Sequence, residues 1–379
     1  MAQNQSFDRY GWQRSLHSTL PKLLREIEDA SKRNYAMMAL LESAGRISLG
    51  HGGEGLKWNV MYRNHAVSSA TGLGSRNFVA TNQFKQAALD YRGYECTDSI
   101  KRREAEKNRG EAAIIKILDG FSERLKQSMM QALGPQFYVD GNDAAASESW
   151  HGLKTLAKTN GETITTSGKR TKDQADKVAD STAVYADLNC ALGSYGGSQE
   201  ANVAWPEGVQ NGQGAYDFWT PLVVVRDSTS FSGSTTGEKL EKAIRYGLTH
   251  GQRNSSIDSQ ITNVFMDRQL FVDLKDFNDG RQTIEVKSAP GSLVDLGFRN
   301  VVRLDGVELS AEHACTSGFA YGVNINAIEL MGMTDNLLEL DGPEYDINTQ
   351  SLNVAISTLS NLRFQSPRNF CIWKPFSAV

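Results

Sequence analysis

Histidine and cysteine are scarce in this 379-residue chain, six and four respectively, and neither is spaced for chemistry. Cys96, Cys190, Cys315 and Cys371 lie far apart and form no C-x-x-C pair. A disulfide framework or a structural zinc site needs closer, paired spacing, so four reduced and mostly buried thiols are expected. His17, His51, His65, His151, His250 and His313 do not pair at metal-ligand spacing. No H-E-x-x-H, P-loop or G-x-S-x-G elbow occurs, and the carboxylates are scattered. No catalytic residue, metal or cofactor is expected, and His151, beside Gly152, reads as a structural hydrogen-bond partner. An excess of positive charge is missing too: 40 basic against 44 acidic residues give a net charge of −4. That argues against a strongly basic nucleic-acid binder, but not against a protein that surrounds nucleic acid without neutralising its phosphates. No apolar run approaches the ~18 residues of a membrane span. Residues 1–5 are polar with no apolar segment after them, so neither a membrane helix nor a signal peptide is expected.

Glycine, by contrast, is plentiful, with 34 against eight prolines. Gly50-His51-Gly52-Gly53-Glu54-Gly55 matches G-x-G-x-x-G. A dinucleotide-binding turn needs a helix directly after it to receive the pyrophosphate. Here an alternating, strand-like run follows, Leu56-Lys57-Trp58-Asn59-Val60-Met61-Tyr62, so the match is read as accidental.

That run opens the most informative stretch of the chain. Residues 56–65 and 83–94 read as two extended segments joined by a small, polar tip at 68–76 that holds Gly72 and Gly74. Leu56, Trp58, Val60 and Tyr62 share one face, with Lys57, Asn59 and Arg63 on the other. On the return, Ala87, Leu89 and Tyr91 form a face, with Lys85, Asp90 and Arg92 elsewhere. A two-stranded ribbon is marginal alone in water and must lie on something. Next comes a long helix, capped by Thr97 or Asp98 and ended before Pro135, with Ile114, Leu118, Phe121, Leu125, Met129 and Leu133 as its apolar stripe. Gly110 and Gly120 are candidate bends. The triplet Lys101-Arg102-Arg103 sits poorly at a helix N-terminus, which favours anions; it is either a solvated face or a contact with an acidic neighbour.

Elsewhere the patterns alternate in type. Helical spacing marks Leu16 to Ile27 and residues 35–43, which could pack on this subunit or on another. Residues 158–214 are polar and read as exposed surface or an insertion with little core. Thr235-x-x-Glu238 is a capping box ahead of Leu240, Ala243, Ile244 and Leu248. Asp305-Gly306, between residues 301–304 and 307–309, is the strongest hairpin signal. Residues 322–331 alternate as a strand, and 352–373 holds two strand-like runs split by Pro367. Helix and strand are interleaved throughout, so the class is α+β.

Several motifs, taken in order, resemble one family. They are Ala87-x-Leu89-Asp90-Tyr91-Arg92-Gly93-Tyr94, Phe137-Tyr138-Val139-Asp140-Gly141, His151-Gly152-Leu153 and Tyr195-Gly196-Gly197. Tyr216-Asp217-Phe218-Trp219-Thr220-Pro221, Leu304-Asp305-Gly306-Val307 and Pro367-Arg368-Asn369 complete the series. Across nearly the whole chain the sequence resembles the tailed-phage major capsid proteins of the Hong Kong 97 fold. Each motif is weak alone, and their order carries the resemblance.

The resemblance implies an N-terminal arm (1–46), an extended loop or E-loop (47–95), and a spine helix with a peripheral domain (96–150, completed by about 346–379). A mainly axial domain (151–345) follows, with a polar insertion at about 158–214. It implies a non-enzymatic subunit that self-assembles as hexamers and pentamers into an icosahedral shell around double-stranded DNA, bound without sequence specificity. The implied location is the virion capsid, assembled in the host cytoplasm, with no membrane contact. A portal and a decoration protein are implied partners. So is a separate scaffolding protein, because few residues precede the loop; a mature form would read the same way. Residues implied at subunit contacts are Trp58, Tyr62, Arg63, Gly72, Gly74, Arg76, Phe84, Tyr91, Arg92, Lys101, Arg102 and Arg103. Lys57 and Lys85 lie on the loop, but no motif supports cross-linking through them. The alternatives are an encapsulin-type compartment and, on the glycine match alone, a nucleotide-binding enzyme.

Overall fold

The computed structural model describes residues 26, 35–61, 84–103, 124–125, 127–129, 131–157, 159–163, 177–179, 184–190, 219, 221–227, 231, 233–251, 260–279, 293–294, 296–298 and 301–375. Two larger sheets organise them. The first joins β1 (Ile47–Ser48), β14 (Ile328–Gly332), β16 (Ser351–Phe364) and β15 (Glu339–Asp346), with β4 (Arg92–Lys101) also paired to β16. The second has the order β11 (Val301–Leu304), β12 (Val307–Ala311), β10 (Asn263–Met266), β13 (Ala320–Val323), β17 (Cys371–Lys374) and β9 (Leu222–Val225).

β16 is the long spine of the first sheet. Leu352, Val354, Ile356, Leu362 and Phe364 point one way and are buried, as period-two alternation requires. Described helical residues between 124 and 136 cover this face. Leu125, Met129 and Leu133 of the expected stripe are buried in the same cluster as those strand residues. Arg124 pairs with Asp98 at 3.0 Å, and Tyr94 donates its hydroxyl proton to Gln136, so the helix runs back along β4.

The helix boundaries differ from expectation. Thr97 and Asp98 lie inside β4, which continues to Lys101, and helical residues begin at Arg102. Ten successive pairings with β16 hold this stretch as strand, overriding the local cap chemistry. At the other end Pro135 is within the last turn, and helix persists to 136. Gly110, Gly120, Ile114, Leu118 and Phe121 lie outside the described residues.

The second sheet is buried on both faces. β9, β10, β13 and β17 are buried at every position, which is why Leu222-Val223-Val224-Val225 shows no alternation. One face carries α2 (Thr236–Gly251) and α3 (Arg268–Asp279), through Leu240, Ala243, Ile244, Leu270 and Leu274. Trp373 donates its indole N–H to the Ala243 carbonyl at 2.8 Å, fixing α2 on the sheet. The capping box at α2 forms, with the Glu238 amide donating to Thr235 Oγ1 at 3.3 Å; the return bond comes from the Ser234 amide at 3.1 Å. Asp305 and Gly306 both take positive φ, 50° and 86°, in the two-residue β11–β12 turn.

Residues 322–331, read as one strand, are two. β13 ends in the second sheet, a short 3-10 turn at Ile325–Ala327 intervenes, and β14 enters the first sheet. β16 and β17 cross the same way around Pro367–Asn369. The segment 35–43 packs on its own subunit: α1 (Ala36–Ser43) buries Ala36 to Leu41. The polar stretch 158–214 is not uniformly surface either, because Tyr185, Ala186, Leu188 and Cys190 sit in the main core.

Candidate assembly site at the ribbon root

β2 (Leu56–Met61) and β3 (Phe84–Leu89) form the expected antiparallel ribbon, with Leu56 opposite Leu89 and Met61 opposite Phe84. The glycines of 50–55 run directly into the strand β2 and not into a helix, so Gly50–Gly55 has no dinucleotide-binding geometry. Register places Lys85 opposite Val60, on the same face as Ala87 and Leu89 rather than away from it. The root of this ribbon rests on its own chain. Leu56, Val60, Ala87 and Leu89 are buried, while Lys57 and Asn59 face out.

Trp58 pins the root. Its indole N–H donates to the Gln365 carbonyl at 3.3 Å, and the Arg363 guanidinium lies 5.8 Å over its ring. The ring also faces Tyr185 at 6.3 Å. Tyr185 is an aromatic hub against Trp219, Phe364 and His151 as well. It comes from a tight hairpin of β7 (Val184–Tyr185) and β8 (Leu188–Asn189), whose Ala186 carbonyl accepts from the Ala88 amide of the ribbon at 3.1 Å. Burial pushes the Tyr185 hydroxyl far up; it stays neutral, donating to Leu362 O and accepting from the Phe364 amide, both at 2.8 Å.

Just past β3 the chain breaks at Asp90 and Tyr91 before resuming as β4. The motif residues converge here. Asn361 takes the Asp90 carbonyl and His151: its amide donates to Asp90 O at 2.8 Å and meets His151 Nδ1 at 3.1 Å, while its oxygen accepts from the His151 amide at 3.0 Å. Burial lowers the His151 ring to about 4, with Arg92 as the next cause, so the ring is a neutral structural partner. Tyr91 donates to His51 O. Arg92 donates to the carbonyls of Gly141 and Ser149, the latter at 2.9 Å. Gly93 has no room for a side chain, since a Cβ there would stand 2.8 Å from the Thr358 carbonyl. Gly152 is tighter still, with Gln136 O at 2.6 Å and Val139 O at 2.7 Å from the same virtual atom. The resemblance motifs at 87–94, 137–141 and 151–153 therefore build one joint between ribbon, helix end and first sheet.

Of the residues implied at subunit contacts, Tyr91 and Arg92 are engaged within the subunit, and Trp58 is half-buried against it. Phe84, by contrast, is 54% exposed. Lys101, Arg102 and Arg103 are exposed at the end of β4, some way from the joint in sequence. Tyr62, Arg63, Gly72, Gly74 and Arg76 lie outside the described residues. Sequence reading missed Tyr185, Asn361 and Glu312. The apolar Val184, Tyr185, Leu188 and Cys190, clustered in a polar stretch, were the available signal for the first.

The face of β4, β16 and β15 turned away from the helix holds an open groove of about 720 Å³ lined by Asp341 and Glu344 with Thr97, Ser99 and Asn353. A register shift in β15 between Asp341 and Glu344 shapes it. Among the described residues, no three potential metal ligands cluster and no helix is long and apolar enough to cross a membrane.

These features define a class: the chain has the Hong Kong 97-like fold of tailed-phage capsid proteins. A chain of the Cyanophage A-1(L) capsid asymmetric unit aligns with TM-score 0.57 over 90% of this chain and 93% of its own, at 12% identity. The capsid of the native GTA particle aligns with TM-score 0.52 over 89% and 90%, at 10% identity. The capsid of the empty GTA particle gives 0.50 over 88% and 96%, also at 10%. No family model and no curated protein sequence matches the chain.

Proposed function

We propose that this chain is a major capsid protein, a structural subunit and not an enzyme, that self-assembles into the shell of a virion. The observation that carries this reading is a capsid fold matched over about nine-tenths of both chains. Three of the sequence motifs that resemble the family, at 87–94, 137–141 and 151–153, support it by meeting at the ribbon root. In this reading 1–46 is the arm, 47–95 the E-loop, 96–150 with about 346–379 the spine and peripheral part, and 151–345 mainly the axial part. Subunits form hexamers and pentamers, because repeated heterologous contacts close into rings. Double-stranded DNA fills the shell without sequence-specific binding, in keeping with a net charge of −4. Portal, scaffolding and decoration proteins are the further partners, and assembly takes place in the host cytoplasm.

The ribbon tip of one copy reaches a neighbour, with Trp58, Tyr62, Arg63, Gly72, Gly74, Arg76, Phe84, Tyr91 and Arg92 on or beside that contact. The acidic groove at Asp341 and Glu344 is a seat for basic residues of that neighbour, and Lys101, Arg102 and Arg103 join the contact surface. Deleting residues 68–76 tests the reading. Electron microscopy of the purified full chain is expected to show closed shells, and the deletion variant is expected to remain folded by circular dichroism but to form few or fragile shells. Shells of equal number and heat resistance from the variant would refute the ribbon's role. Nuclease-protected DNA inside the shells is expected; a co-purifying cargo enzyme without nucleic acid would favour a compartment protein instead.

A further inference from the structure

β4 has a partner on one edge. Its ten residues pair with β16, from Arg92 opposite Ser360 to Lys101 opposite Ser351, without a shift in register. Among the described residues no strand lies along its other edge. Which backbone groups point that way follows from the ladder. The Arg102 amide donates to the Gln350 carbonyl at 2.9 Å, which continues the register by one step and makes Arg102 and Gln350 a hydrogen-bonded pair. Hydrogen-bonded and non-hydrogen-bonded pairs alternate along an antiparallel ladder. Ile100, Asp98, Cys96, Tyr94 and Arg92 therefore turn their amides and carbonyls toward β16, while Lys101, Ser99, Thr97, Glu95 and Gly93 turn theirs outward. The Ser99 amide agrees, since it donates to the side chain of Asp98, at Oδ1, over 2.8 Å.

A bare edge of this length is a template for another chain, and proteins blunt such edges with proline, bulges or charge, or keep them short. β4 is long, with no proline and no bulge. The side chains beside its outward backbone groups, Glu95, Thr97, Ser99 and Lys101, are all exposed. Neither Glu95 nor Lys101 is held in an ion pair among the described residues. The two charges stand at equal distances on either side of Asp98, as do Thr97 and Ser99.

We propose that β4 pairs along this edge with β4 of a second copy, antiparallel and centred on Asp98, so that the two first sheets become one. In that register Glu95 lies opposite the partner's Lys101, Lys101 opposite the partner's Glu95, and Thr97 opposite the partner's Ser99. Every one of these pairs joins residues whose backbone groups face outward, so each exchanges both hydrogen bonds. Opposite charges directly across a ladder attract, and like charges there repel. Centred on Thr97, Glu95 would face Ser99; centred on Ser99, Lys101 would face Thr97 and Glu95 would pass beyond the end of the strand. Asp98 as the centre is the choice that matches both charges.

The Ser99 amide exchanges its bond to Asp98 Oδ1 for a carbonyl of the partner strand. On the helix side Asp98 meets its own counterpart, and each carboxylate brings the Arg124 guanidinium that pairs with it at 3.0 Å. The contact is isologous: it uses the edge once in each copy, links copies in twos and leaves no edge to propagate a fibre. It follows from strand geometry and charge, and does not depend on the shell reading.

Disulfide trapping in the full chain tests the register. Opposite residues of a hydrogen-bonded antiparallel pair have Cα atoms about 5.5 Å apart, within reach of a disulfide; residues two positions out of register are beyond it. Cys96→Ser removes the one cysteine that is not buried. In that background Thr97→Cys/Ser99→Cys is expected to run as a disulfide-linked dimer after mild oxidation, about tenfold more than either single cysteine variant. Adding Glu95→Lys is expected to lower the trapped dimer several-fold, and adding Lys101→Glu as well to restore it. All these positions but Cys96 are exposed on the strand, so the variants keep the fold, which circular dichroism checks. No dimer from the double cysteine variant, equal trapping by Thr97→Cys alone, or trapping that ignores the charge reversal and its repair would each overturn the pairing.

Discussion

Asn361 has four hydrogen-bonding positions, and all four are used within the subunit. Its oxygen accepts from the amides of His151 and Leu362 at 3.0 and 2.9 Å, and its amide reaches Asp90 O and His151 Nδ1. Such a node is costly to break, because each orphaned buried group loses its water without gaining a partner. Asn361→Leu is expected to destabilise the subunit by about 3 kcal/mol in denaturant unfolding; a loss below about 1 kcal/mol would show that the joint does not rely on it. His151 beside it and Glu312 respond to pH in opposite senses. A histidine held neutral at about 4 contributes stability that is present above its ordinary 6.5 and lost as pH falls toward 4. Glu312 contributes stability that is lost as pH rises toward 7. Whole-molecule unfolding sums the two, and variants that remove one group at a time, His151→Gln or Glu312→Gln, separate them.

At the scale of elements, the described part of the ribbon, Leu56–Met61 paired with Phe84–Leu89, is a root packed on its own chain. The root is fixed by Trp58, by the Ala88–Ala186 backbone bond and by the Asp90–Tyr94 joint, so it acts as a rigid lever base. In the proposed reading the groove across β4, β16 and β15 would receive a neighbour, with Asp341 and Glu344 on an exposed sheet face. Replacing both by lysine is expected to leave the fold intact, since exposed charges contribute about 1 kcal/mol or less each. Assembly yield is expected to fall several-fold, most at low ionic strength, where repulsion of a basic neighbour is least screened. Sedimentation at two salt concentrations reads this out; shells forming as well as the parent at both would remove the groove from the contact surface.

For the whole molecule, the two sheets are tied by chain that crosses between them, directly from β13 to β14 and from β16 to β17. Trp373 lies in the core under α2, whereas Trp150 and Trp219 lie in the other cluster. Neither sheet can lose its strands without pulling on the other, so a single cooperative transition is expected despite the two cores. Guanidinium titration followed by circular dichroism and by the fluorescence of a Trp373→Phe variant checks this. Separated midpoints would mean that the sheets unfold independently.

Local sequence was enough wherever periodicity or turn chemistry acts over a few residues. The ribbon strands at Leu56 and Leu89, the Asp305-Gly306 hairpin, the Thr235–Glu238 cap and the two strands flanking Pro367 are of this kind, and so is the α+β class. What local pattern could not carry was partnership at long range. Thr97 and Asp98 have good capping side chains, yet pairing with β16 makes them strand, because a ladder of ten residue pairs outweighs one cap. Residues 322–331 alternate like one strand, but which sheet each half joins depends on β10, β17 and β16, far away in sequence. Tyr185, Asn361 and Glu312 have their roles only because folding buries each of them against groups from distant segments. Burial and partner identity, the two quantities that set their hydrogen bonds and proton affinities, exist only once the chain has closed on itself.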